Sequence, residues 1–233
     1  MWRTSDLKLP VQHDPPPHLV NIPTTVHAIV PLTLLEAIRN LDTPLNDGLP
    51  AEFAQETFAK RLGLTSTVAA QIERYREMAD RGSQLTDEEA VQVFRLVGRR
   101  ADATLAFSDA GRRAARYAAK TRGGSPSLAW RVFPRTFRRR AGERAAGRAL
   151  LNVFRLELSR EPAGLALRLP DSLATRAGFE GSGCYFYSAL VAEILRLTSG
   201  FEGSMVHERC RARGDDACRW KAAEPDQRWQ EAG

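Results

Sequence analysis

The chain has 233 residues, 43% hydrophobic and 27% charged, which suits one large or two small globular domains and excludes disorder as the main state. No apolar run approaches the roughly 20 residues of a bilayer-spanning helix, and the opening Met1-Trp2-Arg3-Thr4-Ser5-Asp6 lacks the apolar core of a signal peptide, so a cytoplasmic protein is expected. With 34 Lys+Arg against 28 Asp+Glu, the surface should attract anions without commitment to nucleic acid.

Residues 1–23 are rich in proline and polar side chains, read as a flexible arm whose His13 and His18 sit in a solvated stretch rather than on a metal. A single domain is expected over 24–223, with a helical part at 29–151 and an α+β part at 152–223, followed by a polar tail at 224–233. Pro31 begins the first helix, through Leu34, Leu35 and Ile38. Phe53, Thr57 and Leu62 fit a second, and Val68, Ile72 and Tyr75 a third. Thr86-Asp87-Glu88-Glu89 reads as a capping box opening a fourth, with Val91, Phe94 and Val97 inward. Ala101 to Lys120 forms a fifth, whose Gly111, Ala114, Ala115 and Ala118 admit a close neighbour.

After the loop Arg122-Gly123-Gly124-Ser125-Pro126, a basic helix runs from Pro134 to Leu151, and seven arginines fall between Arg131 and Arg148. Arg135, Arg138 and Arg139 are candidates for anion binding; the plain alternative is a solvated face offset by acidic neighbours. The texture then changes. Val153 to Leu158 and Leu165 to Leu169 alternate apolar and polar residues around Pro162-Ala163-Gly164, predicting a hairpin. Cys184 to Leu197 returns to helical spacing, Gly200 stops it, and Met205–Arg211 and Cys218–Ala222 supply two further strands. The expected fold is α+β: a helical N-terminal layer packed on an antiparallel sheet of about four strands.

All three cysteines and the one histidine of the second half fall in the order Cys184, His207, Cys210, Cys218. Gly214-Asp215-Asp216 turns the chain so that Cys210 and Cys218 face each other across a hairpin, and Cys184 arrives from a helix start. Residues three apart on a regular strand point to opposite faces, so His207 and Cys210 share a metal only if the strand bulges or ends between them. Three thiolates and an imidazole fill a tetrahedral shell and leave no position for an activated water, which points to structural zinc. The alternatives are a Cys210–Cys218 disulfide, disfavoured in a reducing compartment, and three buried thiols acting as small hydrophobes.

The segment His207-Glu208-Arg209-Cys210-Arg211-Ala212-Arg213-Gly214-Asp215-Asp216-Ala217-Cys218, preceded by Cys184-Tyr185-Phe186-Tyr187, resembles the 4-vinyl reductase domain family. That family carries a helix-start cysteine and then E-x-x-C-x-x-x-G-D-x-x-C, and related aromatic-sensing domains of bacterial transcription activators bind zinc through the matching set. Here His207 stands where the family commonly has glutamate, with Glu208 one place later, so either could complete the metal site. More weakly, Ile29-Val30-Pro31, Asp109 to Tyr117 and Phe133-Pro134-Arg135 are similar to the bacteriochlorophyll 4-vinyl reductases of photosynthetic bacteria. The resemblance implies the ligand-binding fold shared with nitric-oxide-sensing haem domains and Golgi-transport particle subunits. It also implies an apolar pocket between sheet and helices, with Phe154, Leu156, Leu167, Tyr185, Tyr187 and Leu190 as candidate lining residues.

Gly178-Phe179-Glu180-Gly181-Ser182-Gly183 does not give G-x-G-x-x-G after a parallel strand, so no nicotinamide or flavin motif is found. No Ser/His/Asp arrangement has recognisable spacing, and His27 is more simply packed than bound to haem. The expected function is a zinc-stabilised carrier of a hydrophobic tetrapyrrole, a chlorophyllide-type precursor of bacteriochlorophyll biosynthesis, with its carboxylate facing arginines. The alternatives are an enzyme, or enzyme subunit, reducing the 4-vinyl group of that precursor, and an aromatic-ligand sensor or adaptor. Candidate partners are a pigment-biosynthesis enzyme and a second copy of the chain, with no nucleic acid and with peripheral membrane association left open.

Overall fold

A computed structural model describes residues 25–43, 62–121, 134–162 and 164–224. The whole arm 1–23, the bulk of the predicted second helix (Phe53 and Thr57 included) and the tail after 224 lie outside the described residues. In chain order the elements are β1 (Thr25–His27), α1 (Ile29–Asp42), a 3-10 turn (Leu62–Leu64), α2 (Ser66–Asp80), β2 (Gln84–Thr86), α3 (Asp87–Gly98), α4 (Ala103–Thr121) and α5 (Arg135–Ala149). They continue with a π turn (Leu150–Phe154), β3 (Leu158–Glu161), β4 (Gly164–Leu169), α6 (Leu173–Ala177), α7 (Cys184–Ser199), β5 (Ser204–Arg209) and β6 (Cys218–Ala223). The class is α+β. β3 to β6 form an antiparallel sheet in the order β3-β4-β6-β5, and β1 pairs with β2 separately.

The helix starts follow local chemistry. Thr86 caps α3, its hydroxyl accepting from the Glu89 backbone N–H, with Asp87, Glu88 and Glu89 in the first turn where the helix dipole favours negative charge. Thr65 caps α2 in the same way through the Val68 N–H. The apolar stripes of α1 to α4 bury Ile38, Ile72, Phe94 and Phe107 in one core that continues without interruption to Trp220 of β6.

α7 is the centre of the packing, lying against α4 and α5 on one side and against β5 on the other. Its contact with α4 depends on Gly111: a Cβ there would lie 2.3 Å from the Phe186 carbonyl oxygen. Any side chain would push the helices apart, which is why the small-residue stretch stands on this element.

Two predicted strands are displaced. Val153 to Leu158 reads as alternating, yet the chain stays helical through a π turn to Phe154 and ends on Arg155 in the left-handed conformation, φ 56°. The Leu156 N–H then donates to the Leu150 carbonyl, so these backbone groups are satisfied locally and pairing starts only at Leu158. The hairpin is consequently Leu158–Glu161 with Gly164–Leu169. The strand expected over Met205–Arg211 ends at Arg209, and Arg211–Arg213 curls into a 3-10 turn. Among the described residues no helix is long and apolar enough to cross a membrane.

Candidate metal centre

Cys184 opens α7, Cys218 opens β6, and Cys210 follows β5 directly; all three are free thiols buried from solvent. His207, on β5, is half-buried and its ring stacks on Trp220 at 4.7 Å and 13°. One donor atom from each of the four residues lies within 4.8 Å of the others, so the cluster could hold a metal ion. Cys184 Sγ and Cys218 Sγ are 3.8 Å apart.

The convergence of His207 and Cys210 has the cause that strand geometry demands. His207 pairs with Trp220 and Arg209 pairs with Arg219, so the register slips across Glu208. This bulge spends one extra residue and brings His207 to the same side as Cys210. Glu208 is turned elsewhere, its carboxylate 3.8 Å from the Arg219 guanidinium. Between His207 and Glu208, the histidine is therefore the residue that joins the thiols. Its Nε2 is buried without a hydrogen-bond partner, a cost that a bound metal would remove.

The loop between Cys210 and Cys218 is held by hydrogen bonds from its own backbone N–H groups to the Asp215 carboxylate, the Cys210 carbonyl and the Cys218 sulfur. Asp215 accepts the Cys210 N–H at 2.7 Å, the Arg213 and Asp215 N–H groups donate to the Cys210 carbonyl, and the Arg211 N–H points at Cys218 Sγ at 3.4 Å. Thr175, at 3.8 Å from the same sulfur, adds a hydroxyl. The hydrogen bond from Cys184 draws Cys218 well below the usual thiol range, helped by His207, the Arg211 N–H and Thr175. The same contact and burial push the Cys184 thiol up. A bound cation takes thiolates as ligands, so metal binding at this cluster would release thiol protons.

The predicted lining residues divide. Phe154, Leu156, Tyr187 and Leu190 gather, with Val30 and Phe186, around a cavity of about 200 Å³ between the π turn and α6–α7. Leu167 does not reach it, being fully buried in the cross-strand row Leu167–Trp220–His207. Tyr185, 49% exposed, faces a separate open groove of about 590 Å³ that also meets His207, Cys210, Arg100 and Arg213.

The three arginines expected to bind an anion have separate surroundings where they are described. Arg139 is committed to Glu143, at 3.2 Å, and to Glu224, Arg138 is partly buried with an unpartnered Nε, and the side chain of Arg135 lies outside the described residues. His27 is accounted for by packing, its Nδ1 accepting the Ile29 N–H and its ring tilted against Tyr117.

Two ion networks, each built on a buried carboxylate, escape sequence reading. Arg100 bridges Asp42 and Asp102, with Asp42 also accepting the Gly63 N–H, and Glu193 in α7 takes both Arg116 and Arg196. Only the Arg100-x-Asp102 and Glu193-x-x-Arg196 spacings could have signalled them. Compared with family models, curated proteins and solved structures, the chain matches none.

Proposed function

We propose that this chain is a zinc-stabilised domain that binds a hydrophobic ring compound. The observation that carries the metal half is the buried set Cys184, His207, Cys210 and Cys218 with donors within 4.8 Å of one another. Zinc–sulfur bonds of about 2.3 Å in a tetrahedron place two sulfurs roughly 3.8 Å apart, and Cys184 and Cys218 stand at 3.8 Å. A disulfide would need about 2.05 Å. Four protein ligands fill the shell, so the metal's role is structural, tying α7 to the β5–β6 hairpin.

For the ligand, the cavity beside Tyr187 and Leu190, about 200 Å³, is smaller than the roughly 300–1,000 Å³ of sites for drug-sized molecules. It suits a single substituted aromatic ring. This favours the aromatic-ligand reading over a tetrapyrrole carrier; a chlorophyllide-type precursor would need the open groove at Tyr185 instead. Reduction of a 4-vinyl group rests on the motif resemblance alone.

Equilibrium dialysis of the zinc-loaded chain against p-cresol and against chlorophyllide separates these. Saturable p-cresol binding lost in Leu190→Trp, which fills the cavity, supports the aromatic reading. Tight chlorophyllide binding with none for p-cresol would overturn it in favour of the carrier.

A further inference from the structure

The open groove beside Tyr185 ends on the metal cluster. Of the four donors, His207 and Cys210 line the groove, whereas Cys184 and Cys218 do not. The wall over Cys210 is Gly181, and a Cβ on that residue would lie 2.9 Å from the Cys210 sulfur, so no side chain of residue 181 stands between sulfur and groove. Cys210 is otherwise covered, at 1% exposure, which leaves the groove as the approach to it. Cys218 lies deeper: it is fully buried, and its sulfur takes the Arg211 N–H at 3.4 Å with the Thr175 hydroxyl at 3.8 Å. A small neutral molecule in the groove therefore meets the Cys210 sulfur first.

Cys218 is the thiol placed to react next. Arg209 pairs with Arg219. Cys210, whose backbone is still extended at φ −138° and ψ 118°, and Cys218, the first residue of β6, stand one step further along the same antiparallel ladder. Facing residues of such a ladder have Cα atoms about 4.5–5.5 Å apart, inside the roughly 4.4–6.8 Å that a disulfide spans. Their sulfurs belong to a set of donors within 4.8 Å of one another. A bond between them would lie wholly within the β5–β6 hairpin, and so would not replace the metal's tie to Cys184 on α7.

We infer that Cys210 is a site of oxidation by hydroperoxides, with Cys218 as its resolving partner, and that the disulfide they form releases the metal. The inference rests on the metal reading above. As a metal ligand Cys210 is held as the thiolate, the form that acts as a nucleophile. Its sulfur attacks one peroxide oxygen: an S–O bond forms, the O–O bond breaks, and the other oxygen leaves with a proton from water, as an alcohol or, from hydrogen peroxide, as water. The Cys218 thiolate then attacks the sulfenic acid on Cys210: an S–S bond forms, the S–O bond breaks, and hydroxide leaves as water with a second proton. The two sulfurs give up two electrons and the peroxide takes them. Cys184 and His207 alone are too few to close a tetrahedral shell. The disulfide, confined to the hairpin, leaves α7 untied at the wall of the groove.

The test treats the zinc-loaded full chain with hydrogen peroxide. Elemental analysis counts zinc beforehand, a chromogenic chelator follows its release, and peptide mass mapping gives the linkage. About one zinc should leave per peroxide consumed, with a loss of about two mass units, a Cys210–Cys218 linked peptide and Cys184 free for alkylation. Dimedone present during the reaction, which traps sulfenic acid, should label Cys210 ahead of Cys184 and Cys218. Dithiothreitol with added zinc should restore the starting content. Thr104→Trp, at an exposed position of α4 that borders the groove, should keep its zinc and slow the release by about threefold or more. A chain that holds no zinc before peroxide is added overturns the metal reading and the proposal with it. With zinc bound at the start, four results would each overturn the proposal alone: zinc retained under about tenfold excess peroxide, a Cys184–Cys218 linkage, a first label on Cys184 or Cys218, or release from Thr104→Trp as fast as from the parent.

Discussion

Gly181 and Gly178 have nearly the same φ, 88° and 86°, and very different surroundings. A Cβ on Gly181 would lie 2.9 Å from Cys210 Sγ, while one on Gly178 would meet nothing within 4 Å. Both Gly→Ala changes carry the left-handed strain of an L-residue, about 1–2 kcal/mol. Only Gly181→Ala forces the thiol to retreat, by about 0.5 Å to reach an ordinary contact, and metal sites tolerate displacements of about 0.2 Å. Gly181→Ala should therefore lower zinc affinity about 10- to 100-fold, the range seen when support around a ligand is disturbed. Gly178→Ala should lose a similar stability with its affinity within about threefold of the parent. Competition with a zinc chelator and thermal melting of both variants measure the two quantities. Equal zinc affinities for the two would refute the reasoning, because the strain would then be the whole effect.

Removing Arg100 takes the two-pronged guanidinium contact from the buried carboxylate of Asp42, 8% exposed, which also accepts the Gly63 N–H. Breaking a buried pair on one side costs about 3–5 kcal/mol; partial exposure of Arg100 brings this to about 2–3, a fall in Tm of about 5–10 °C in Arg100→Met. Asp42→Asn/Arg100→Met should recover at least half of that loss, and a Tm within about 2 °C of the parent for the single variant would show that the network contributes little. Hydrogen bonds from Arg196, with Arg116, hold Glu193 below the usual carboxylate range. A depressed carboxylate stabilises the fold above its unfolded value near 4.5 and loses that contribution as pH falls through the folded one. Urea midpoints should accordingly show Glu193→Gln weaker than the parent at pH 7, by about 1 kcal/mol given the exposed arginines. The gap should close in acid; a constant gap would contradict the assignment.

The helical layer is legible because its signals are local. Thr86 with Glu89, and the stripes Leu34-Leu35-Ile38 and Val91-Phe94-Val97, specify start, face and period within a few residues. The start of β3 is hidden because alternation in Val153 to Leu158 describes which side chains are apolar, and the π turn satisfies the backbone without a partner strand. The metal ligands are readable as four donors in sequence order, together with the condition that the strand must bulge or end between His207 and Cys210. That Glu208 is the extra residue depends on where Arg219 stands across the sheet. The pocket was the least legible part: Leu167 and Tyr185 alternate and space like Leu156 and Tyr187, and only the tertiary fold sends them to the core and to the open groove.

The zinc content of freshly purified protein, read by elemental analysis beside free-thiol titration, tests the central claim most directly. One zinc per chain is expected in the parent protein and in Glu208→Gln, with a marked loss in Cys210→Ser and His207→Ala and a lower Tm after chelation, because a structural site contributes folding energy. Less than about half an equivalent of zinc in the parent, or unchanged melting in Cys210→Ser, would contradict it.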